Sequence, residues 1–207
     1  MRKLFLLAAL GLCLVAGIAR SDEVATDQLI QHLSALEQLQ GRFEQTQYAS
    51  GAELASVLSG GSFKLLKPVY FLWEIDSPDS QLIVADGNHL WHHDRDLETV
   101  TRRSVAGRDE LSPLQVLAGD TAVLRERFNV SATGEGRFLL VPREGNPGFT
   151  ELTLVFANDQ ISAMEVTDKL NQRIFIKLTA LDSESPLTSA DFTYVPPEGA
   201  DLFYHDD

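Results

Sequence analysis

Between Arg42 and Asp182 turn residues cut the chain into short segments, with one helical interruption. RFEQTQY, ELASVLSGGSFKLL, VYFLWEI, QLIVA, HLWHHD and LETVTRR are separated by Ser50-Gly51, Lys67-Pro68, Ser77-Pro78-Asp79, Asp86-Gly87-Asn88 and Arg95-Asp96. Strands so close in sequence leave no room for crossover helices, so neighbours are predicted antiparallel. FNVSAT, GRFLLVPRE, FTELTLVFAN, QISAMEVTD and QRIFIKLTALD continue the pattern, with turns at 134–136, 145–148, 158–159 and 168–171. DFTYVPPEG is expected as a final edge segment, because its prolines cannot donate to a central ladder. About ten or eleven strands result, and a sheet of that size must curl or split.

Two helical passages interrupt this plan. TDQLIQHLSALEQL places Leu29, Leu33, Leu36 and Leu39 at spacings of three and four, and Ile30 widens the stripe. That spacing predicts an amphipathic helix, with Gly41 as its stop. Ser112, Pro113 and Gln115 form a capping-box signature ahead of PLQVLAG, and Asp120 is a candidate cap for TAVLRERF. Helices over the mouth of a curled sheet bury both the strand faces and the leucine stripes.

The N-terminus reads as an export signal. Arg2 and Lys3 precede an apolar run from Leu4 to Ile18, with Gly17 and Ala19 at the −3 and −1 positions of a cleavage site before Arg20. The run is shorter than the ~20 residues of a membrane span. Residues 1–19 are thus expected to be removed, leaving 20–207 as a single domain. Cys13, the sole cysteine, follows Leu12 rather than a small residue, which argues against lipid attachment. The exported chain would then hold no thiol and would rely on its core for stability.

Charge and motifs exclude several classes. The whole chain carries a formal charge of −13, and loss of Arg2 and Lys3 makes it −15. A nucleic-acid partner needs a basic footprint, and none is present. No nucleophile elbow, phosphate loop or dinucleotide fingerprint occurs. His89, His92, His93 and Asp94 are close in sequence, but strand alternation leaves His89 and His93 as the only histidine pair on a common face, so a metal site would need ligands from elsewhere. No metal or cofactor is expected, and no enzymatic step.

The aromatic strand VYFLWEI carries more information. Val69, Phe71, Trp73 and Ile75 share one face, which is apolar throughout. Tyr70, Leu72, Glu74 and Asp76 share the other, which turns acidic halfway. Composition alone favours plain core for such a strand over the wall of an apolar pocket, since a pocket also needs the concave face to be only partly filled.

The order of motifs resembles the periplasmic outer-membrane lipoprotein carrier family, LolA, across nearly the whole exported length. The landmarks are the leading helix, GRFEQTQYASG, GSFKLLKPVYFLWEI, QLIVADGNHLWHHDRDLETVT, SPLQVLAGD and DFTYVPPEG. The resemblance implies an incomplete, strongly curved antiparallel β-barrel with an N-terminal helix and a short helical lid. It further implies a periplasmic monomer that accepts acylated lipoproteins from an inner-membrane lipoprotein-releasing ABC exporter complex. The cargo would pass to the outer-membrane receptor LolB. Matched to the family, Phe43, Phe71, Trp73, Leu82, Val84, Trp91, Leu154, Phe156 and Phe175 are candidates for the acyl-chain cavity. Leu114, Val116 and Leu117 are candidates for the lid. The family usually has an arginine before Pro68, hydrogen-bonded to the lid; here Lys67 takes the place of that latch without the planar donor fork. Other readings on the same fold are an envelope sensor, as in RseB, and a carrier of another lipid or lipid-linked molecule. RseB has an extra C-terminal domain, whereas this chain ends soon after VPPEG.

Overall fold

The computed structural model describes residues 14–55, 57–105, 112–144 and 148–205. Most of the expected signal segment, including Cys13, and part of the 145–148 turn lie outside the described residues. Helix α1 spans Leu14–Ser34, so the expected cleavage site before Arg20 falls within helical backbone.

Six strands follow as a meander: β1 Gln38–Tyr48, β2 Val57–Leu66, β3 Tyr70–Ser77, β4 Gln81–Ala85, β5 His89–Asp94 and β6 Thr99–Ser104. Helices α2 (Pro113–Ala118) and α3 (Ala122–Arg127) come next. Five more strands complete a second meander: β7 Phe128–Gly134, β8 Arg137–Pro142, β9 Phe149–Ala157, β10 Gln160–Asp168 and β11 Arg173–Asp182. The two meanders join where β1 pairs antiparallel with β11. With β12 (Asp201–His205), they form one sheet in the order β12-β6-β5-β4-β3-β2-β1-β11-β10-β9-β8-β7. Among the described residues the sheet therefore ends on two different strands, β12 and β7, and no ladder closes the barrel. The helices connect β6 to β7 across that seam.

Three local expectations change. The leading helix ends at Ser34, and Leu39, expected on its stripe, is fully buried in β1 instead. Ladder bonds from β1 to both β2 and β11 outweigh a further helical turn in this stretch. Gly41 accordingly does not stop a helix. It lies inside β1, where a Cβ would meet the Thr179 carbonyl oxygen at 2.8 Å. DFTYVPPEG is not a strand either; Ser189–Phe192 is a 3-10 turn and the prolines follow it in extended chain. The edge strand is the acidic tail segment DLFYH, paired in parallel with β6.

The C-terminal segment from Ser183 onward explains the two-toned face of VYFLWEI. It crosses the outer side of the sheet and buries Phe192 completely among Val84, Trp91 and Val100, with Tyr70 and Leu72 against them. Glu74 and Asp76 lie further along the strand, where they pair with Arg95 at 2.8 Å and Arg42 at 3.0 Å. The face turns acidic where apolar cover gives way to ion pairs.

Asp182 pins the start of this segment. Its carboxylate accepts from the Glu184 and Ser185 backbone N–H groups at 2.9 and 3.0 Å. Hydrogen bonds from Ser185, through side chain and backbone, and from the Glu184 N–H lower its pKa to about 2. A depressed carboxylate contributes stability above its unfolded value, and that contribution disappears as pH falls through the folded one. Asp182→Asn is therefore expected to destabilise the protein at pH 7 and to match the parent near pH 2. Urea unfolding at the two pH values checks this; an equal deficit at both would contradict it.

Candidate functional site

The concave side of the sheet holds one continuous apolar interior. Phe43, Phe63, Leu65, Phe71, Trp73, Leu154 and Phe156 all belong to it. Helix α1 inserts Leu29 and Leu33 from the open side, both with no exposed surface. Phe43 on β1 and Trp73 on β3 stack with centroids 3.8 Å apart and planes 21° off parallel. β2 lies between their strands, and the two rings face each other beside Gly61, where a Cβ would sit 1.8 Å from the Glu74 carbonyl oxygen.

Helix α2 covers this wall. The Ser112 hydroxyl accepts from the Gln115 N–H at 3.2 Å, and the Gln115 amide oxygen accepts from the Ser112 N–H at 2.8 Å. The capping box starts the helix as expected; at α3 the N-cap is Thr121, without a side-chain cap bond, rather than the expected Asp120, which lies one residue earlier and accepts from the Ala122 N–H at 2.9 Å. Leu114 and Leu117 face Phe63, Leu65, Phe71 and Trp73, and Val116 is buried in the same core. The void between lid and sheet is about 10 Å³, roughly one water-sized sphere. The apolar wall is closed by the protein's own side chains.

Not every candidate lies on this wall. Leu82, Val84 and Trp91 occupy the opposite, convex face, packed under Phe192 and Tyr194. Their neighbours Ile83, Ala85 and Leu90 face the interior instead. Phe175 is 37% exposed on the outer face, while Ile174, Ile176 and Leu178 point inward. The physical reason is parity: a one-residue choice in a strand transfers every side chain to the other face. Each face of β4 and β5 carries apolar residues, Leu82, Val84 and Trp91 on one and Ile83, Ala85 and Leu90 on the other, so alternation could not discriminate between them. Phe63, Leu65 and Met164, which line the contact with the lid, were not singled out from sequence. The register of β2 on β3, pairing Phe63 with Trp73 and Leu65 with Phe71, reveals the place of the first two.

Lys67 makes a different contact from the one the resemblance implied. Its Nζ donates to the carbonyl oxygen of Leu33 in the last turn of α1, not to α2. Burial holds its ammonium below the ordinary lysine value, against the opposing pull of the Glu37 and Asp120 carboxylates. Glu37 follows α1 and Asp120 precedes α3, so the ammonium sits electrostatically between both helical pieces. A lysine at a helix C-terminus satisfies an orphan carbonyl and suits the negative end of the helix dipole. Arg125 pairs with Asp27 and ties α3 to α1.

The histidines of HLWHHD diverge. His92 is 3.2 Å from the Gln81 amide oxygen, His93 lies 6.0 Å from the Tyr194 ring, and His89 is 3.9 Å from Asp86. Among the described residues, no helix is long and apolar enough to cross a membrane.

Comparison with known proteins agrees with this geometry. The chain is 33% identical over 204 residues to the outer-membrane lipoprotein carrier protein of Alkalilimnicola ehrlichii, covering 97% of this chain and 94% of that one. It is 30% identical to the protein of the same description from Coxiella burnetii, covering 95% and 96% of the two chains. In fold it is similar to a domain from Vibrio parahaemolyticus described as outer membrane lipoprotein-sorting, with a TM-score of 0.52 at 16% identity. That match covers 83% of this chain and 97% of the other. The family model for the outer membrane lipoprotein carrier protein LolA matches residues 34–195, and the chain belongs to that family.

Proposed function

We propose that this protein is a non-enzymatic carrier of acylated lipoproteins, which shields their acyl chains against the concave wall of Phe43, Phe63, Phe71 and Trp73. The observation that carries this reading is the apolar interior closed by short helices, α2 above all, rather than by a strand ladder. Each acyl methylene left in water costs about 0.8 kcal/mol, so a free lipoprotein needs such cover between membranes. When the cavity is empty, Leu114 and Leu117 supply that cover themselves and keep the wall from aggregating. When cargo binds, acyl chains replace the helix side chains, and the two apolar contacts compete for one surface. That exchange makes both uptake and release possible without a chemical step.

The carrier works in the periplasm after loss of residues 1–19. It receives cargo from an inner-membrane lipoprotein-releasing ABC exporter complex and delivers it to the outer-membrane receptor LolB. Mixing the exported form with inner-membrane vesicles that contain exporter and lipoprotein tests this. A soluble one-to-one complex of carrier and lipoprotein is expected. Extraction of phospholipid with no lipoprotein released would overturn the reading in favour of a carrier of other lipids.

A further inference from the structure

The β-strand register places the C-terminal end of α1, the β2–β3 turn, the β7–β8 turn and the β9–β10 turn at one end of the barrel. Two adjoining concavities open there, of about 540 and 610 Å³. Each falls within the range of sites that hold small organic ligands, about 300–1,000 Å³. They share His32, Ala35 and Asp159, so they are two halves of one cleft with the His32–Asp159 contact across it.

The floor and the crossing of this cleft have distinct chemistry. Leu39, Phe138, Phe156 and Ile161 line it and belong to the same buried cluster as Phe71 and Trp73, so the floor of the cleft is the outer edge of the packed apolar core. The His32 ring stacks on Phe156 with centroids 4.6 Å apart and lies 5.6 Å from Phe138, covering the aromatic floor. Its Nδ1 is 3.6 Å from an Asp159 carboxylate oxygen, and the Asp159 side chain is 94% exposed. Asn158 and Asp159 both hold positive φ, 50° and 63°, as a two-residue hairpin turn requires. The rim is acidic, with Glu37 and Glu135 joining Asp159. A polar contact this exposed holds weakly.

Resting on the carrier reading, we infer that this cleft is the port through which an acyl chain enters the interior, with the His32–Asp159 contact as its gate. The floor accepts a hydrocarbon tail, and the polar rim faces the peptide to which that tail is attached. The contrast with the lid favours this route: α2 meets the sheet with about 10 Å³ of void, whereas the cleft already offers ligand-sized space floored by residues of the same core. On this view α1, held by Lys67 on one side and His32 on the other, is the element an entering chain displaces.

The test is the loading rate of the full protein with a fluorescent palmitoylated peptide. Ala35 is exposed and lines both halves of the cleft, away from the lid contact. Ala35→Trp is expected to slow loading about tenfold or more by filling the cleft, with an unchanged melting temperature. Asp159→Asn is expected to speed it, by at most about fivefold for an exposed pair. Loading of Ala35→Trp at the parental rate would overturn the port while leaving the carrier intact. If the unaltered protein takes up no palmitoylated peptide, the carrier reading falls and the port with it. A fall in melting temperature would assign Ala35 a packing role, and Gln31→Trp, on the half of the cleft beside the β7–β8 turn, then decides by the same criterion.

Discussion

Trp73→Ala is expected to lower the unfolding free energy by about 3–5 kcal/mol, measured by urea denaturation. Trp73 is 4% exposed, stacked on Phe43 and 5.7 Å from the Phe63 ring. Truncation removes the indole's transfer energy, its aromatic contacts and the packing of the atoms around it. The cost depends on how far the wall can collapse, and short helices collapse more readily than a ladder-bonded strand. The lower half of that range is therefore expected. Trp91→Ala provides the control, because Trp91 lies under Tyr194 on the convex face and donates to Asp86 at 2.7 Å. Both substitutions destabilise, but only Trp73→Ala is expected to alter acyl-chain binding. Equal effects on binding would refute the assignment of the concave face as the cavity wall.

The second large effect concerns Lys67. Lys67→Met keeps much of the aliphatic stem but leaves the Leu33 carbonyl without its charged donor. A hydrogen bond to a charged group contributes about 1.5–3 kcal/mol, and this one exists in the closed arrangement, with α1 in place. Its loss is expected to raise the apparent affinity for acylated cargo about 10–100-fold, as the closed state loses population. Transfer to the proposed receptor is expected to slow correspondingly. Lys67→Arg, which retains charge and donors, is expected to stay near the parent. Unchanged affinity and transfer in Lys67→Met would show that the clamp does not govern closure.

Lys67 also shows where the resemblance needed the structure. The turn that holds it was legible, since Lys67-Pro68 separates two apolar segments. The partner was not, because a lysine stem can reach several carbonyls and sequence spacing does not choose among them. The β1–β2 ladder brings the end of α1 beside the β2–β3 turn, and Leu33 becomes the acceptor. The capping box at Ser112–Gln115 is the opposite case. Its partners lie three residues apart, so local chemistry alone sets it, and it forms as expected.

The sequence by itself determined the strand succession, the antiparallel meanders, the capped lid helix and the family, because turns, caps and ordered motifs act over short chain distances. The tertiary structure decided which apolar face is concave, and with it that Phe71 and Trp73 line the interior while Leu82, Val84 and Trp91 do not. It also decided that the tail DLFYH, rather than DFTYVPPEG, forms the final strand. For the two faces both alternatives were apolar enough to be buried, whereas DLFYH stays exposed and is placed by its backbone pairing with β6. Curvature of the sheet and the path of the C-terminal segment, both long-range properties, selected one.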